Sequence, residues 1–317
     1  MHFLISSITA YRKKLYLCVK MITNKTIIKK MRKILLFLAA AAMLFSASCS
    51  KSDDFDSEPE MPQTENEIWY TSKDSSVVTP YKTDVFGANI ISNTYKNGKG
   101  VIKFDGNVTS IGTSAFERCS SLTSITIPNG VTTIGESAFY NCTSLTSITI
   151  PNGVTSIEGS AFERCEKLKT IELPKSITTI AMGAFANCRL LTSITIPDGV
   201  TSLENSTFYQ CLLLKDVTIP NSVTSIGVCV FKGCTALKNI TIPRSVTSIK
   251  NRVFEGCTSL KNVYCRAKTA PSMGEDVFED ISSTAKIYVP KESFDAYKRA
   301  SGWKKIADKL VSYNFGE

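Results

Sequence analysis

The segment FERCSSLTSITIPNGVTTIGESA, residues 116–138, is followed by Phe139, where nearly the same phrase begins again. Phenylalanine recurs at Phe116, Phe139, Phe162, Phe185, Phe208, Phe231 and Phe254, always 23 residues apart. A cysteine follows three residues later each time, from Cys119 to Cys257, and a leucine three after that, from Leu122 to Leu260. Proline closes six copies, from Pro128 to Pro243. A fixed period in this range is the mark of a solenoid, in which each copy is one coil stacked on the last. One coil cannot hide its Leu, Ile, Val and Phe side chains alone. A neighbour presenting the same surface hides them all.

Within a copy, Leu122-x-x-Ile125-x-Ile127 alternates with period two, which predicts a short strand with Ile125 and Ile127 facing inward. Pro128-Asn129-Gly130 turns the chain, and Val131-x-x-Ile134 returns it along a second inward-facing stretch. Glu136 to Asn141 reads as one helical or 3₁₀ turn carrying Ala138 and Phe139 into the core. The expected fold is a repeat solenoid of β-rich, leucine-rich-repeat-like 23-residue coils. Parallel strands form one face and short helical or 3₁₀ turns the other, with a cap at each end.

The phrase Phe-x-x-Cys-x-x-Leu-x-x-Ile-x-Ile-Pro followed by Val-Thr-x-Ile resembles the BspA-type leucine-rich repeats of bacterial surface proteins. The resemblance covers about residues 101–265. It departs from the general leucine-rich motif, which has Asn or Cys three residues after the last apolar strand position; Gly130, Gly153 and Ser176 stand there. The resemblance implies a surface lipoprotein that binds extracellular protein, in adhesion or matrix attachment.

The address is written at the other end of the chain. Met31-Arg32-Lys33 is a basic start, residues 34–45 are an apolar run, and Ser46-Ala47-Ser48 precede Cys49. That order is a secretory signal over 31–48, and its apolar run is short of the ~20 residues a membrane-spanning helix needs. The signal is complete from Met31, so residues 1–30 read as an upstream mis-start. Ser46-Ala47-Ser48-Cys49 resembles a bacterial lipobox, which implies lipidation at Cys49; simple cleavage is the alternative. Residues 49–67 are polar, acidic and proline-containing, and read as a disordered tether. An acidic run there resembles the surface-export signal of some Gram-negative lipoproteins, or is a plain spacer. The expected address is the outer membrane, at the cell surface, with membrane contact only through the lipid.

Of the 37 Lys/Arg, nine lie in residues 1–48, which contain no Asp or Glu; the other 28 are matched by 28 acids. The formal charge of +9 therefore belongs to the leader, and no basic face for nucleic acid is indicated. The only histidine is His2, so the mature chain has no Ser-His or Cys-His pair and lacks the commonest metal ligand. Nucleotide, haem and P-loop motifs are absent. No cofactor, no metal and no catalysis are expected, and carboxylates such as Glu172 and Asp216 have no implied pocket.

Equivalent cysteines on stacked coils keep their Cβ atoms about one coil apart, ~4.8 Å, whereas a disulfide needs roughly 3.5–4.5 Å. A straight column does not converge on a metal either. The column therefore reads as buried small hydrophobes, Cys265 as core, and Cys229, in a column of mostly serine, as a partly exposed thiol.

On the presumed concave sheet the outward residues form three columns. One runs Thr126, Thr149, Glu172, Thr195, Thr218, Thr241, Tyr264; the next Ser124, Ser147, Thr170, Ser193, Asp216, Asn239, Asn262; the third includes Lys169, Lys215, Lys238 and Lys261. Threonine suits a soluble strand face, so specificity is sought where the repeat is broken. The candidate partner contacts are Lys169, Glu172, Lys215, Asp216, Lys238, Lys261 and Tyr264. Aromatic anchors look scarce on this face.

Residues 68–100, with Trp69, Tyr70, Tyr81 and Phe86, are expected to form a β-rich N-terminal cap. Residues 266–317 are expected to form a C-terminal cap. In it, 285–290 is the last strand, and Phe294, Tyr297, Ile306 and Leu310 fall at helical spacing interrupted at Gly302. The leading reading is a protein-binding adhesion module. The alternatives are a glycan-binding accessory lipoprotein, for which Trp69 or Trp303 would be the reporters, and a structural envelope component.

Overall fold

The computed structural model describes residues 64–316. The expected leader, the expected lipidation at Cys49 and nearly all of the expected tether lie outside the described residues. The described residues belong to one compact unit.

Each coil crosses two parallel sheets. The first is built from strands such as Leu122–Thr126, Ser147–Thr149, Ser193–Thr195, Asp216–Thr218, Asn239–Ile242 and Asn262–Cys265. The second is built from two-residue strands such as Thr133–Ile134, Ser156–Ile157, Ser225–Ile226 and Ser248–Ile249. Register is a strict coil step: Ile125 opposite Ile148, Ile194 opposite Val217, Ile240 opposite Val263 in the first sheet, and Ile134 opposite Ile157 in the second. Residues 169–173 hold no assigned strand although Thr192 N–H still donates to Lys169 O at 3.0 Å. Nothing in the structure accounts for that gap.

The phenylalanines form a continuous stack. Neighbouring rings from Phe116 to Phe254 lie 5.2–5.7 Å apart and within 8° of parallel, and all seven are fully buried. Full burial of each ring is worth about 1.5–3 kcal/mol.

The third side of the coil differs from the helical or 3₁₀ turn expected at 136–141. It is a string of turns in which alternate amides point in different directions. Ala138, Tyr140 and Cys142 donate within their own turn, to Gly135, Ser137 and Phe139, while Ser137, Phe139 and Asn141 donate to Gly159, Ala161 and Glu163 of the next coil. Two left-handed residues per coil create this alternation and prevent a helix. Ser137 (φ 54°) and Asn141 (φ 58°) have equivalents at Ser160 and Arg164, Gly183 and Asn187, Cys229 and Gly233, and Arg252 and Gly256. The left-handed region is costly for residues with a Cβ and free for glycine, which explains why Asn and Gly interchange in the second column.

The cysteines are buried and free, with Cys229 alone half-exposed. They are more than filler. From Cys142 to Cys257 each column thiol donates to the carbonyl of the phenylalanine on the preceding coil, as in Cys142 to Phe116 (3.0 Å), Cys188 to Phe162 (3.2 Å) and Cys257 to Phe231 (3.0 Å), while Cys119, at the first coil, donates to Thr79 O at 3.4 Å. The small weak donor satisfies a backbone oxygen in a turn with no room for a larger side chain.

At the N-terminal end, Ile90–Lys96 and Lys99–Phe104 form a hairpin, and Glu67–Ser72 lies between that hairpin and the first coil. Asn97 and Gly98, both at positive φ, make its two-residue turn. Phe86 ends the ring stack, 5.7 Å from Phe116. Thr126, expected to face outward, is nearly covered because Trp69 sits beside it in register.

At the C-terminal end the coil pattern continues beyond Cys265. Ser272–Met273 pairs with Ser248–Ile249, Lys286–Pro290 pairs with the 262–265 strand, and Phe278 extends the ring stack at 5.5 Å from Phe254. The strand at 286–290 is not the last. Leu310, expected in a helix, begins a further parallel strand, Leu310–Tyr313. Between them lie a short helix, Phe294–Arg299, and a 3₁₀ segment, Trp303–Lys309. Trp303 and Tyr297 are fully buried against the end of the stack; the Trp303 indole donates to Pro271 O at 2.8 Å and the Tyr297 hydroxyl to Ala267 O at 2.7 Å. Trp303 therefore cannot report on a surface ligand.

Candidate functional site

The outward face of the first sheet is read residue by residue from its neighbours. Several threonines on the coil borders are structural. The hydroxyls of Thr146 and Thr192 donate to the carbonyls of Thr123 and Lys169, one coil back, at 3.0 and 3.3 Å, and Thr224 and Thr247 do the same beside the second sheet. Thr149, Thr195, Thr218 and Thr241 stay exposed at the centre of the face.

The seven candidate residues divide into two groups. Lys169 and Glu172 are exposed beside a cleft of about 340 Å³ lined by residues 170–173 and 193–195. They stand two coils away from the others. Lys215, Asp216, Lys238 and Lys261 are exposed on three consecutive coils, and Tyr264 follows on the coil of Lys261. Lys261 N–H donates to Lys238 O at 2.8 Å, and Asp216 sits in register with Ser193. None of these seven enters an ion pair among the described residues.

The expectation that aromatics are scarce here is corrected at the C-terminal end. Tyr264 stacks on Tyr288 with centroids 4.9 Å apart and 13° between planes. Tyr313 meets Tyr264 and Tyr288 edge-on at 6.1 and 5.4 Å, and Phe315 meets Tyr313 at 4.9 Å. Tyr313 remains 42% exposed. Beside the cluster the Asn262 amide donates to Asn239 Oδ1 at 2.7 Å, and the Tyr288 hydroxyl reaches Asn262 Oδ1 at 3.4 Å. Tyr288 was hidden because the step from Asn262 to its register partner Lys286 is 24 residues, one more than the repeat, and Tyr313 because Leu310 was expected to lie in a helix and instead begins a strand. At the other end of the same column the Trp69 ring is covered by the Lys99 ammonium at 3.5 Å, and its N–H is held by Glu67 at 3.0 Å.

Around this face the chemistry is that of a surface. A small cavity of about 140 Å³ lies near the end, lined by Arg266, Lys268, Pro290, Glu292, Asn314 and Phe315. No group of three or more His, Cys, Asp or Glu could hold a metal among the described residues. Burial pushes the column thiols up, Cys119 to about 11 and Cys257 to about 12, so the cysteines are poor nucleophiles at neutral pH. Among the described residues no helix is long and apolar enough to cross a membrane.

Comparison with known proteins agrees with the geometry. The family model "BspA type Leucine rich repeat region (6 copies)" matches residues 88–215 and 201–300. Among solved structures, a leucine-rich repeat protein from Bacteroides ovatus is 29% identical, with 70% of this chain and 66% of that one covered and a TM-score of 0.37. The T. pallidum leucine-rich repeat protein is 32% identical over 50% of this chain and 74% of that one, with a TM-score of 0.48. A leucine-rich cell surface protein from Faecalibacterium prausnitzii is 27% identical over 63% and 68%, with a TM-score of 0.42. No curated protein matches. With the repeat unit, the ring stack and the family match in agreement, the chain belongs to the BspA-type leucine-rich repeat family.

Proposed function

We propose that this protein is a non-catalytic, protein-binding scaffold. It works in adhesion at the cell surface, held there by a lipid on Cys49, and engages an extracellular protein through the outward face of its first sheet. The observation that carries the reading is a contrast on that face. The border threonines are bonded to their own neighbouring coils, whereas Lys215, Lys238 and Lys261 are exposed with no ion-pair partner among the described residues, and Tyr313 is exposed beside the half-buried Tyr264 and Tyr288. Solenoids commonly bind along such an extended face, and tyrosine is a common interface anchor.

Ring geometry favours a protein over a glycan. A sugar stacks on an open aromatic face. The Tyr264 and Tyr288 rings cover one face of each other and meet Tyr313 besides, Trp69 is covered by Lys99, and Trp303 is buried. Each of these rings is thus engaged by a neighbour within the chain, which leaves no open ring face for a sugar in the cluster.

The test is a pull-down with the chain from residue 50 onward against extracellular matrix proteins and glycans in parallel. Capture of a protein that survives glycosidase treatment supports the scaffold; capture of glycans alone overturns it. The address is tested by Cys49→Ser, which should release the protein from membranes and protect it from protease shaving of intact cells. Unchanged membrane association would reject the anchor.

A further inference from the structure

We infer that the C-terminal half of this face is a docking ladder for an acidic protein segment that carries a carboxylate about once per helical turn. The inference rests on the scaffold reading and specifies its partner.

The ladder is a run of lysines, one per coil. Lys215, Lys238 and Lys261 occupy one column on successive coils. Lys286 is in register with Asn262, in the adjoining column. The last strand pairs Ile287 with Leu310, so Lys309 stands beside Lys286 in the same sense. Five consecutive coils thus present a cation, and Asp216 is the one acid among the outward positions of those strands. Like charges facing one another on adjacent strands repel. None of the five is relieved by an ion pair within the described chain.

Elsewhere the protein pairs some of its cations. Lys232 meets Glu255 at 2.8 Å, Lys103 meets Glu67 at 2.8 Å, and Arg252 lies between Glu255 and Asp276. What sets the ladder apart is its order, one cation on each of five successive coils with a single acid among the outward strand positions, in a chain whose charges balance outside residues 1–48. Charge complementarity calls for an anionic partner, and Tyr264, Tyr288 and Tyr313 at the same end supply its anchor.

Spacing selects the form of that partner. Coils repeat at ~4.8 Å. Carboxylates on one face of an extended peptide recur about every 6.8 Å, so over four steps the two series drift apart by about 8 Å. Carboxylates one turn apart on a helix recur at ~5.4 Å, and the drift over four steps is about 2.4 Å, which flexible lysine stems absorb. An acidic polysaccharide would also offer a regular charge, but the closed tyrosine faces give its rings little to stack on.

The test uses fluorescence anisotropy with the full chain and three probes: a 20-residue alanine-rich helical peptide with Glu at positions i, i+4, i+7, i+11 and i+14 so that all lie on one face, the same peptide with Gln in place of Glu, and labelled polygalacturonate. The Glu peptide should bind at least tenfold more tightly than the Gln peptide at low salt, and the difference should shrink as salt is raised. The triple variant Lys215→Glu, Lys238→Glu, Lys261→Glu should abolish the difference, and the Lys→Gln triple should reduce it with a thermal midpoint no lower than that of wild type, which separates lost binding from lost folding. Equal affinity for the two peptides, or no effect of the Gln triple, would overturn the proposal. Tighter binding of polygalacturonate than of the Glu peptide would replace the protein segment with a glycan. In the pull-down, a partner captured equally by wild type and by the triple variants would sink the ladder and leave the scaffold standing; capture by none would sink the scaffold itself.

Discussion

Phe185→Ala probes the packing on which every surface column depends. Phe185 is fully buried, with rings above and below: Phe162 at 5.5 Å and 2°, and Phe208 at 5.7 Å and 4°. Truncation to Ala removes the ring from both interfaces and leaves a void that two stiff neighbouring coils cannot close. Phe→Ala in a packed core costs roughly 3–5 kcal/mol, and a mid-stack site with aromatic contacts on both sides belongs at the upper end. The matched control is Thr195→Ala on the exposed face ten residues later, where loss of a solvated side chain should stay within about 0.5 kcal/mol. Urea unfolding followed by far-ultraviolet circular dichroism reads both as shifts in midpoint at constant slope. A stacked solenoid predicts a large shift for Phe185→Ala and almost none for Thr195→Ala. Similar shifts for the two would mean that the ring column is not where the burial lies, and the assignment of outward residues would fall with it.

Other outcomes follow from the coil turns and thiols. Gly256→Ala should cost about 1–2 kcal/mol from backbone conformation alone, because Gly256 has φ +70° and an added Cβ would meet nothing closer than 3.8 Å; an unchanged urea midpoint would reject the left-handed turn. Conversely, Asn141→Gly should be neutral or stabilising, since Asn141 holds the same conformation at φ 58°. In the chain from residue 50, a thiol reagent at pH 8 should label Cys229 rapidly and the eight buried cysteines only on unfolding, without added reductant; rapid labelling of more than one or two would contradict the buried column. Burial raises the folded thiols above their ordinary value of 9, to about 11 for Cys119 and about 12 for Cys257. Their stabilisation is therefore complete below pH 9 and is lost as pH rises toward 11–12, each thiol contributing up to about 1.4 kcal/mol per pH unit of separation. Urea midpoints that fell less steeply between pH 9 and 10.5 in Cys188→Ala than in wild type would confirm the linkage; identical slopes would refute it.

The Phe, Cys, Leu and Ile columns were legible because burial requires the same residue type at each 23-residue step. The two left-handed positions were not, because Ser137 or Asn141 alone carries no mark of its φ. The clue was the column Arg118, Asn141, Arg164, Asn187, Gln210, Gly233, Gly256, in which glycine replaces larger residues without loss. The sulfur donation to a phenylalanine carbonyl was also unseen, since burial explains a cysteine without it. At the C-terminal end the extra residue between Phe254 and Phe278 broke the period, so Tyr288 and Lys286 fell out of the columns that begin at Thr126 and Ser124. Leu310 was misread for a related reason: helical spacing from Phe294 to Ile306 runs into it, yet the chain turns back at Gly302, φ +82°, and returns to the sheet. The candidate lysines were found where the repeat departs from itself, and Tyr288 was missed where the repeat lost count.

Lysine footprinting of the complex with the captured partner bears most directly on how this protein works. Acylation of Lys215, Lys238 and Lys261 should fall severalfold when the partner is bound, while Lys250, exposed beside the second sheet, should react as in the free protein. Protection of Lys250 with Lys215, Lys238 and Lys261 left open would place the partner on the other side of the coils and contradict the account.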